Sequence, residues 1–323
     1  MKPRRIIVIG ASAGGLTALR QLFSELDPAL PAAIFAVLHT ASDSRYLTSI
    51  LGRTSQLPVR TAESGPIEEG VIYTAPPDLH MLLEHDGIRL VQGPKENRHR
   101  PSIDVLFRSA GFTYRSAVIG VVLTGMLDDG TAGLFYVKRY GGIAIVQDPN
   151  EAEFKSMPLN ASTYVKVDYS VRLAEIPPLL NRLVRQKLSP SINLPFHESL
   201  AVAMREEDLK SGAPSIYTCP ECQGPLLEIQ NGSLTRFRCR TGHAYGLNSL
   251  SYSQAGTTER LLWSALQSLE AKAELEKIML DLASIRKDAP ALEEYKRRCD
   301  NSQRGVQLLK EVLKLSNGEG TID

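Results

Sequence analysis

The stretch Ile6-Ile7-Val8-Ile9-Gly10-Ala11-Ser12-Ala13-Gly14-Gly15 decides the fold of this 323-residue chain. A short apolar run bounded by glycine is typical of a buried parallel strand. Residues 16–23 then have apolar side chains at helical spacing, so Ser12 is predicted on a sharp turn between a strand and a helix. Such a turn places a hydroxyl beside unpaired N–H groups, which suits either a nucleophile or a bound phosphate.

The phosphate interpretation fits the sequence poorly. A dinucleotide site requires glycine at position 12 and an acidic residue at the end of the second strand. The second apolar run, residues 33–38, ends in His39 instead. Nucleotide binding is therefore the weaker of the two interpretations.

The residues at the ends of the other predicted strands favour the nucleophile interpretation. A serine nucleophile needs a base, and the base needs an orienting group. His39 comes directly after the second predicted strand, and Asp128 and Asp129 come after a third apolar run, residues 117–123. The carboxyl ends of parallel strands share one edge of a sheet, so these side chains are expected to meet there. Taken singly, they could equally be a helix cap, a loop histidine and an ordinary turn.

Seven stretches, in this order, resemble the catalytic domain of the bacterial chemotaxis protein-glutamate methylesterases (CheB) over residues 5–165. They are residues 7–15, 37–39, 73–78, 97–104, 123–130, 141–148 and 157–158. The order Ser, His, Asp along the chain also differs from the Ser, Asp, His order of the α/β-hydrolases.

The resemblance implies a role for each candidate residue. Ser12 would be the nucleophile, His39 the general base and acid, Asp129 the orienting carboxylate, and the Met126 backbone N–H an oxyanion donor. Asp128 stands where the family commonly has asparagine, so the sequence leaves open which carboxylate of the pair faces His39.

The implied activity is hydrolysis of glutamate methyl esters on methyl-accepting chemoreceptors through an acyl-enzyme, with release of methanol and without a catalytic cofactor. Deamidation of glutamines would be a second activity. The chain begins five residues before its first strand, so we expect a form without a receiver domain. The alternative is a non-catalytic signalling scaffold that keeps the fold and binds partners through its C-terminal part.

A metal site is predicted far from these residues along the chain. Cys219 and Cys222 form a C-x2-C pair, and Cys239 and His243 form a C-x3-H pair after sixteen intervening residues. Two close pairs of thiolate and imidazole ligands suit tetrahedral zinc, and four protein ligands leave no position for water. We therefore expect a structural zinc site, with reduced, unliganded thiols as the alternative.

The C-terminal part is predicted to be a helical hairpin. Apolar side chains recur at helical spacing from Thr258 onward, and Asp288-Ala289-Pro290 separates two such runs. This hairpin could pack on the zinc module, form a homodimer or dock a partner.

Together these patterns predict a doubly wound α/β fold with a mainly parallel sheet and helices on both faces, followed by a zinc-ribbon-like module and an α-helical hairpin. The predicted boundaries are residues 1–188 for the catalytic domain, 189–213 for a linker, 214–252 for the zinc module, 253–316 for the hairpin and 317–323 for a tail.

Composition narrows the environment and the partners. The 37 Lys and Arg residues nearly balance 36 Asp and Glu residues, which argues against nucleic-acid binding. No apolar run reaches the length of a membrane helix, so membrane insertion is not expected. The basic N-terminus resembles a signal peptide, but its apolar core is too short, and we expect a cytoplasmic protein with reduced cysteines.

Overall fold

The computed structural model describes residues 5–39, 46–188 and 211–316, and the chain divides into two units, Met1–Leu250 and Ser251–Asp323. The first unit contains both the predicted catalytic residues and the Cys/His cluster. The predicted linker lies mostly outside the described residues, as does the tail 317–323.

A seven-stranded parallel sheet organises the first unit. Its strands are β1 (Ile6–Ala11), β2 (Ala33–Leu38), β3 (Val59–Thr61), β4 (Ile72–Thr74), β7 (Val118–Val122), β8 (Ile143–Gln147) and β9 (Tyr169–Val171). Their spatial order is β3-β4-β2-β1-β7-β8-β9, so β1 lies between β2 and β7. The strands β5 (His80–Glu84) and β6 (Gly87–Val91) form a separate antiparallel hairpin.

Helices cover both faces of this sheet. They are α1 (Gly15–Ser24), α2 (Leu47–Gly52), α3 (Ile103–Tyr114), α4 (Thr131–Arg139), α5 (Ser156–Tyr164) and α6 (Ile176–Leu183). Alternate residues of β1 enter two different apolar clusters: Ile7 and Ile9 contribute to one, Ile6 and Val8 to the other. A strand buried on both faces explains why the opening run is apolar at every position. The predicted doubly wound fold is confirmed.

A four-stranded antiparallel sheet comes next in the same unit, and we call it the cysteine module. Its strands are β10 (Ala213–Thr218), β11 (Pro225–Asn231), β12 (Leu234–Cys239) and β13 (Ala244–Gly246). Its apolar cluster has only six buried members: Cys219, Leu226, Phe237, Cys239, Tyr245 and Leu250.

Two long helices form the predicted hairpin, α7 (Leu247–Arg286) and α8 (Ala289–Ser316). Within the second unit, Ser302 Oγ lies 2.6 Å from Glu276 Oε2, and Lys310 Nζ lies 2.7 Å from Glu270 Oε1. These contacts join the two helices. Across the described residues, neither α7 nor α8 nor any shorter helix has a stretch apolar enough to span a membrane.

Candidate active site

Strand register brings Ser12 and His39 to the same edge of the sheet. The last paired residues of β1 and β2 are Ala11 and Leu38, so the next residues are Ser12 and His39. The His39 backbone N–H donates to the Ala11 carbonyl oxygen at 3.1 Å, which extends the ladder to this point. The chain then turns into α1 through Gly14, whose φ of 72° is in the left-handed region.

Asp129 faces His39 from the loop after β7. Its Oδ2 lies 2.8 Å from His39 Nε2, and both side chains are buried. Neither imidazole nitrogen has a hydrogen bond of good geometry in the described part of the chain, so Nε2 makes a close polar contact with Asp129, and Nδ1 has no partner. His39 thus presents one nitrogen to a carboxylate and keeps the other available for a proton.

Asp129 is held by a dense set of donors. These are the side chains of Asn97 and Ser102 and the backbone N–H groups of Ile103, Asp104 and Gly130, at 2.8–3.1 Å. Two of the backbone donors open α3, where the helix dipole favours a negative charge. Burial alone would raise the pKa of Asp129, but the hydrogen bond and charge of His39 outweigh it and lower the pKa below its ordinary value. Asp129 is therefore ionised at neutral pH.

Asp128 has a different set of partners, which resolves the ambiguity left by the sequence. Its carboxylate accepts from the backbone N–H groups of Asn248, at 2.9 Å, and Ser249, at 3.1 Å, and from the Ser249 hydroxyl. Asp128 therefore caps the first turn of α7, whereas Asp129 contacts the imidazole. A Cβ on Gly246 would lie against the Asp128 carboxylate, so this close approach requires glycine.

The loop between β7 and α4 passes close to Ser12 at Gly125. Gly125 is so close to Ser12 that a Cβ added to Gly125 would lie 2.9 Å from Ser12 Cβ. The Gly125 and Leu127 N–H groups donate to Phe154 O and Ser156 Oγ. Within residues 5–39, 46–188 and 211–316, the Met126 N–H between them forms no hydrogen bond. It is available to an incoming oxygen.

His99 is a site residue that the sequence did not reveal. Its ring stacks on His39, with ring centroids 3.5 Å apart and planes 9° apart. Burial, reinforced by the charge of His39, lowers the pKa of His99 to about 4, so this ring is neutral near pH 7. Residues 98–100 look from sequence like a solvated basic loop or a patch for an acidic partner. Instead, His99 covers the candidate base, and Arg100 pairs with Asp78.

The predicted metal ligands come together in the cysteine module. The ligand atoms of Cys219, Cys222, Cys239 and His243 all lie within 4.8 Å of one another. Cys222 Sγ and Cys239 Sγ are 3.7 Å apart, and His243 Nδ1 is 3.7 Å from Cys219 Sγ and 3.5 Å from Cys239 Sγ. A tetrahedral zinc ion with ordinary bond lengths needs S···S and S···N separations of about 3.8 and about 3.6 Å. These three of the six ligand separations therefore match a tetrahedral site.

Two hydrogen-bonded loops shape this cluster. Cys219 N–H donates to Gly224 O, and Cys239 N–H donates to His243 O. Both loops contain a residue in the left-handed region, Gly242 in one and Gln223 in the other. The positive φ of Gly242 explains why its loop contains glycine, and in the first loop Gln223 takes up the corresponding conformation.

A buried ion triad connects the cysteine module to the seven-stranded parallel sheet and its helices, which we call the parallel-sheet domain. Glu96 accepts from the Arg108 guanidinium of α3 at 2.7 and 2.8 Å and from Arg238 of β12 at 2.9 Å. Burial alone would raise the pKa of Glu96, but the two guanidiniums hold it at about 2. A second link is the hydrogen bond from Arg236 to the Tyr136 hydroxyl, at 3.0 Å.

Comparison with known proteins places this chain among the methylesterases. A Leptospira interrogans protein, provisionally named protein-glutamate methylesterase/protein-glutamine glutaminase, is 39% identical over 186 residues, which cover 56% of this chain and 96% of that protein. A Thiobacillus denitrificans protein-glutamate methylesterase/protein-glutamine glutaminase is 35% identical over 54% of this chain and 50% of its own length. The crystal structure of the Thermotoga maritima CheB methylesterase catalytic domain is similar with a TM-score of 0.54 at 35% identity, over 55% of this chain and 98% of that one.

The match to the family as a whole is in the same part of the chain. Residues 7–180 match the family described as CheB methylesterase. This range includes the parallel sheet and the loops that carry Ser12, His39 and Asp129. The chain therefore belongs to the CheB methylesterase family.

Proposed function

We propose that this protein is a serine hydrolase that removes methyl esters from glutamate side chains of methyl-accepting chemoreceptors and deamidates glutamines at such sites. The observation that carries the proposal is the 2.8 Å contact between His39 Nε2 and Asp129 Oδ2, at the edge of the sheet where Ser12 and His39 each lie one residue beyond the paired strands β1 and β2. The names of the relatives support the same substrate class. A cytoplasmic location is part of the proposal.

In the proposed reaction, Ser12 Oγ attacks the ester carbonyl carbon of the glutamate side chain. His39 Nδ1 accepts the hydroxyl proton, and Asp129 stabilises the resulting imidazolium and fixes its tautomer. The Met126 N–H donates to the oxygen that becomes negatively charged, an interaction worth about 3 kcal/mol of transition-state stabilisation.

The tetrahedral adduct then collapses and expels methoxide, which takes the proton from His39 and leaves as methanol. Water, deprotonated by His39, attacks the acyl-enzyme in turn and releases a glutamate carboxylate and the Ser12 hydroxyl. With glutamine in place of the ester, the same sequence of steps expels ammonia. These steps require the protein groups named and no catalytic cofactor.

The Cys219, Cys222, Cys239 and His243 cluster holds a structural zinc ion in this proposal. The fit of the ligand separations to tetrahedral geometry supports it, as does the Tyr245 hydroxyl 3.7 Å from Cys219 Sγ, because outer-shell hydrogen bonds are common around metal ligands. Homodimerisation or partner docking through α7 and α8 stays a prediction.

Methanol release from methylated receptor membranes tests the esterase. Replacement of the nucleophile in Ser12→Ala should reduce kcat by about 10⁶-fold. Ser24→Ala, at the end of the same helix α1 and exposed, is the matched control and should retain the wild-type rate. Equal background rates for wild type and Ser12→Ala would favour the alternative of a non-catalytic scaffold.

A further inference from the structure

One buried side chain, Asn97, joins the candidate catalytic acid to the cysteine module. Its Nδ2 donates to Asp129 Oδ1 at 2.9 Å and to Asp104 Oδ2 at 2.8 Å. Its Oδ1 accepts from the Gly246 N–H at 2.7 Å, and its backbone N–H donates to Ala244 O at 2.8 Å. Asn97 thus binds Asp129 with one end of its amide and β13 with the other.

The strand β13 begins directly after the metal ligand His243. The loop from Cys239 to His243 is closed by a hydrogen bond of 3.0 Å, and β13 continues from it without an intervening residue. Ala244 and Tyr245 of β13 are buried, but the apolar cluster that Tyr245 joins has six members, and two of them are the ligands Cys219 and Cys239. The rigidity of the module therefore depends on the ligands being held together, as in other small metal-bound folds.

A second connection lies beside the first. Asp128, the neighbour of Asp129 in sequence, accepts hydrogen bonds from Asn248 and Ser249, which lie two and three residues beyond β13. The Asp128–Asp129 pair is therefore attached to the segment after His243 at two points, one through Asn97 and one directly.

We infer that Asn97 is a positioning residue for the hydrolase, and that metal binding in the cysteine module sets its position and thereby the orientation of Asp129 toward His39. This inference rests on the proposed function. It makes the module an internal control element: metal loading fixes β13, β13 fixes Asn97, and Asn97 fixes the acid that orients the base. Loss of the metal slows hydrolysis without removing any group that touches the substrate.

The expected effect is intermediate in size. Asp129 keeps four other hydrogen-bond donors when Asn97 is released, so the carboxylate shifts but stays in place. Misplacement of a catalytic group by about 1 Å costs roughly 10²-fold in rate. We therefore expect removal of the metal to reduce kcat by about 10- to 100-fold, with a smaller change in KM.

The experiment compares the full-length protein loaded with Zn²⁺, stripped with a chelator, and reloaded with Zn²⁺. Wild type should lose and then regain kcat. Asn97→Ala should be slow when loaded and should slow much less than wild type when stripped, because its side chain no longer connects β13 to Asp129 and only the direct attachment of Asp128 remains. Tyr136→Phe removes a different contact between the module and the parallel-sheet domain, the one with Arg236, and should keep the wild-type dependence on metal.

A second measurement does not depend on turnover. The imidazole proton hydrogen-bonded to Asp129 gives a strongly deshielded ¹H NMR resonance, which should weaken or shift in stripped wild type and in loaded Asn97→Ala, and recover only in reloaded wild type. Cys222→Ser, at the exposed ligand, should reproduce the stripped state without a chelator. Circular dichroism checks that the parallel sheet of each variant is intact.

The inference fails if stripping changes neither kcat nor the resonance, or if Asn97→Ala keeps the same metal dependence as wild type. If loaded wild type hydrolyses no faster than Ser12→Ala, the proposed function fails instead. The metal-dependent resonance then still decides whether the module positions Asp129.

Discussion

The two sites of the first unit are built by different means. The Ser12, His39 and Asp129 side chains extend from the ends of strands β1, β2 and β7, which are buried between two large apolar clusters. The Cys/His cluster lies in a four-stranded sheet whose buried core has six members, two of them ligands. Packing fixes the first site before any ligand binds, whereas the second site, in the function proposed above, becomes rigid when its four ligands hold an ion.

The difference matters for the inference that the small cysteine module acts on the larger, packed part of the unit. The contacts between them are polar and buried: the Glu96 ion triad, the Asn97 amide and the Asp128 cap. Two of these polar contacts touch or adjoin Asp129 itself, through Asn97 and Asp128. The catalytic residues are therefore surrounded by apolar clusters on the sheet side and by buried polar contacts where the cysteine module is attached.

The largest effect should separate the two neighbouring carboxylates. Asp129→Asn removes the charge that stabilises the imidazolium. It also places an N–H₂ group among the hydrogen-bond donors that surround the Asp129 carboxylate, so kcat should fall about 10⁴-fold. Asp128→Asn is the matched control: asparagine is as good a helix cap as aspartate, so kcat should stay within about tenfold of wild type. Steady-state rates of methanol release measure both. If Asp128→Asn loses as much activity as Asp129→Asn, the assignment of the orienting acid is wrong.

The next effect concerns the attachment of the module. Glu96→Gln leaves Arg108 and Arg238 buried without a counter-charge, which should reduce the free energy of unfolding by about 3–5 kcal/mol. Glu68→Gln breaks a solvent-exposed pair with Arg60, whose attraction is screened by water, and should leave the free energy of unfolding close to that of wild type. Urea unfolding followed by circular dichroism measures the difference. Comparable small losses would mean that the ion triad contributes little to holding the two regions together.

The residues at the strand ends could be predicted because each follows an apolar run in the sequence. Ser12 and His39 come directly after apolar runs, and parallel strands bring their carboxyl ends together, so the meeting of these residues with an aspartate after the third run could be inferred from spacing alone. The same holds for the cysteine pairs, whose ligand chemistry is specific. The doubly wound fold could be inferred from the apolar runs and the helical periodicity between them.

The rest of the site depends on contacts between distant segments. Nothing in the sequence around His99 indicates that its ring stacks on His39, because the loop reads as a basic, solvated turn. The choice between Asp128 and Asp129 depends on Asn248 and Ser249, more than a hundred residues away. The cysteine module belongs to the first unit, and its contacts with that unit run through Arg236 and Arg238, which bind Tyr136 and Glu96.

The smallest effect is the change in the free energy of unfolding with pH that the buried ring of His99 causes at the catalytic site. His99 has a pKa of about 4 in the folded protein and about 6.5 in an unfolded chain, so the unfolded state binds more protons between these values. Stability should therefore be lost as the pH falls from about 6.5 to about 4, by roughly 3 kcal/mol. Urea unfolding of wild type and His99→Gln across this range isolates the contribution of His99, because the variant should lack it. His85→Gln removes a histidine from an exposed turn and is the matched control. If the free energies of unfolding of wild type and His99→Gln change in parallel with pH, the stacked ring takes up its proton as readily in the folded protein as in the unfolded chain. The site around His39 would then be no more sensitive to acid than the rest of the protein.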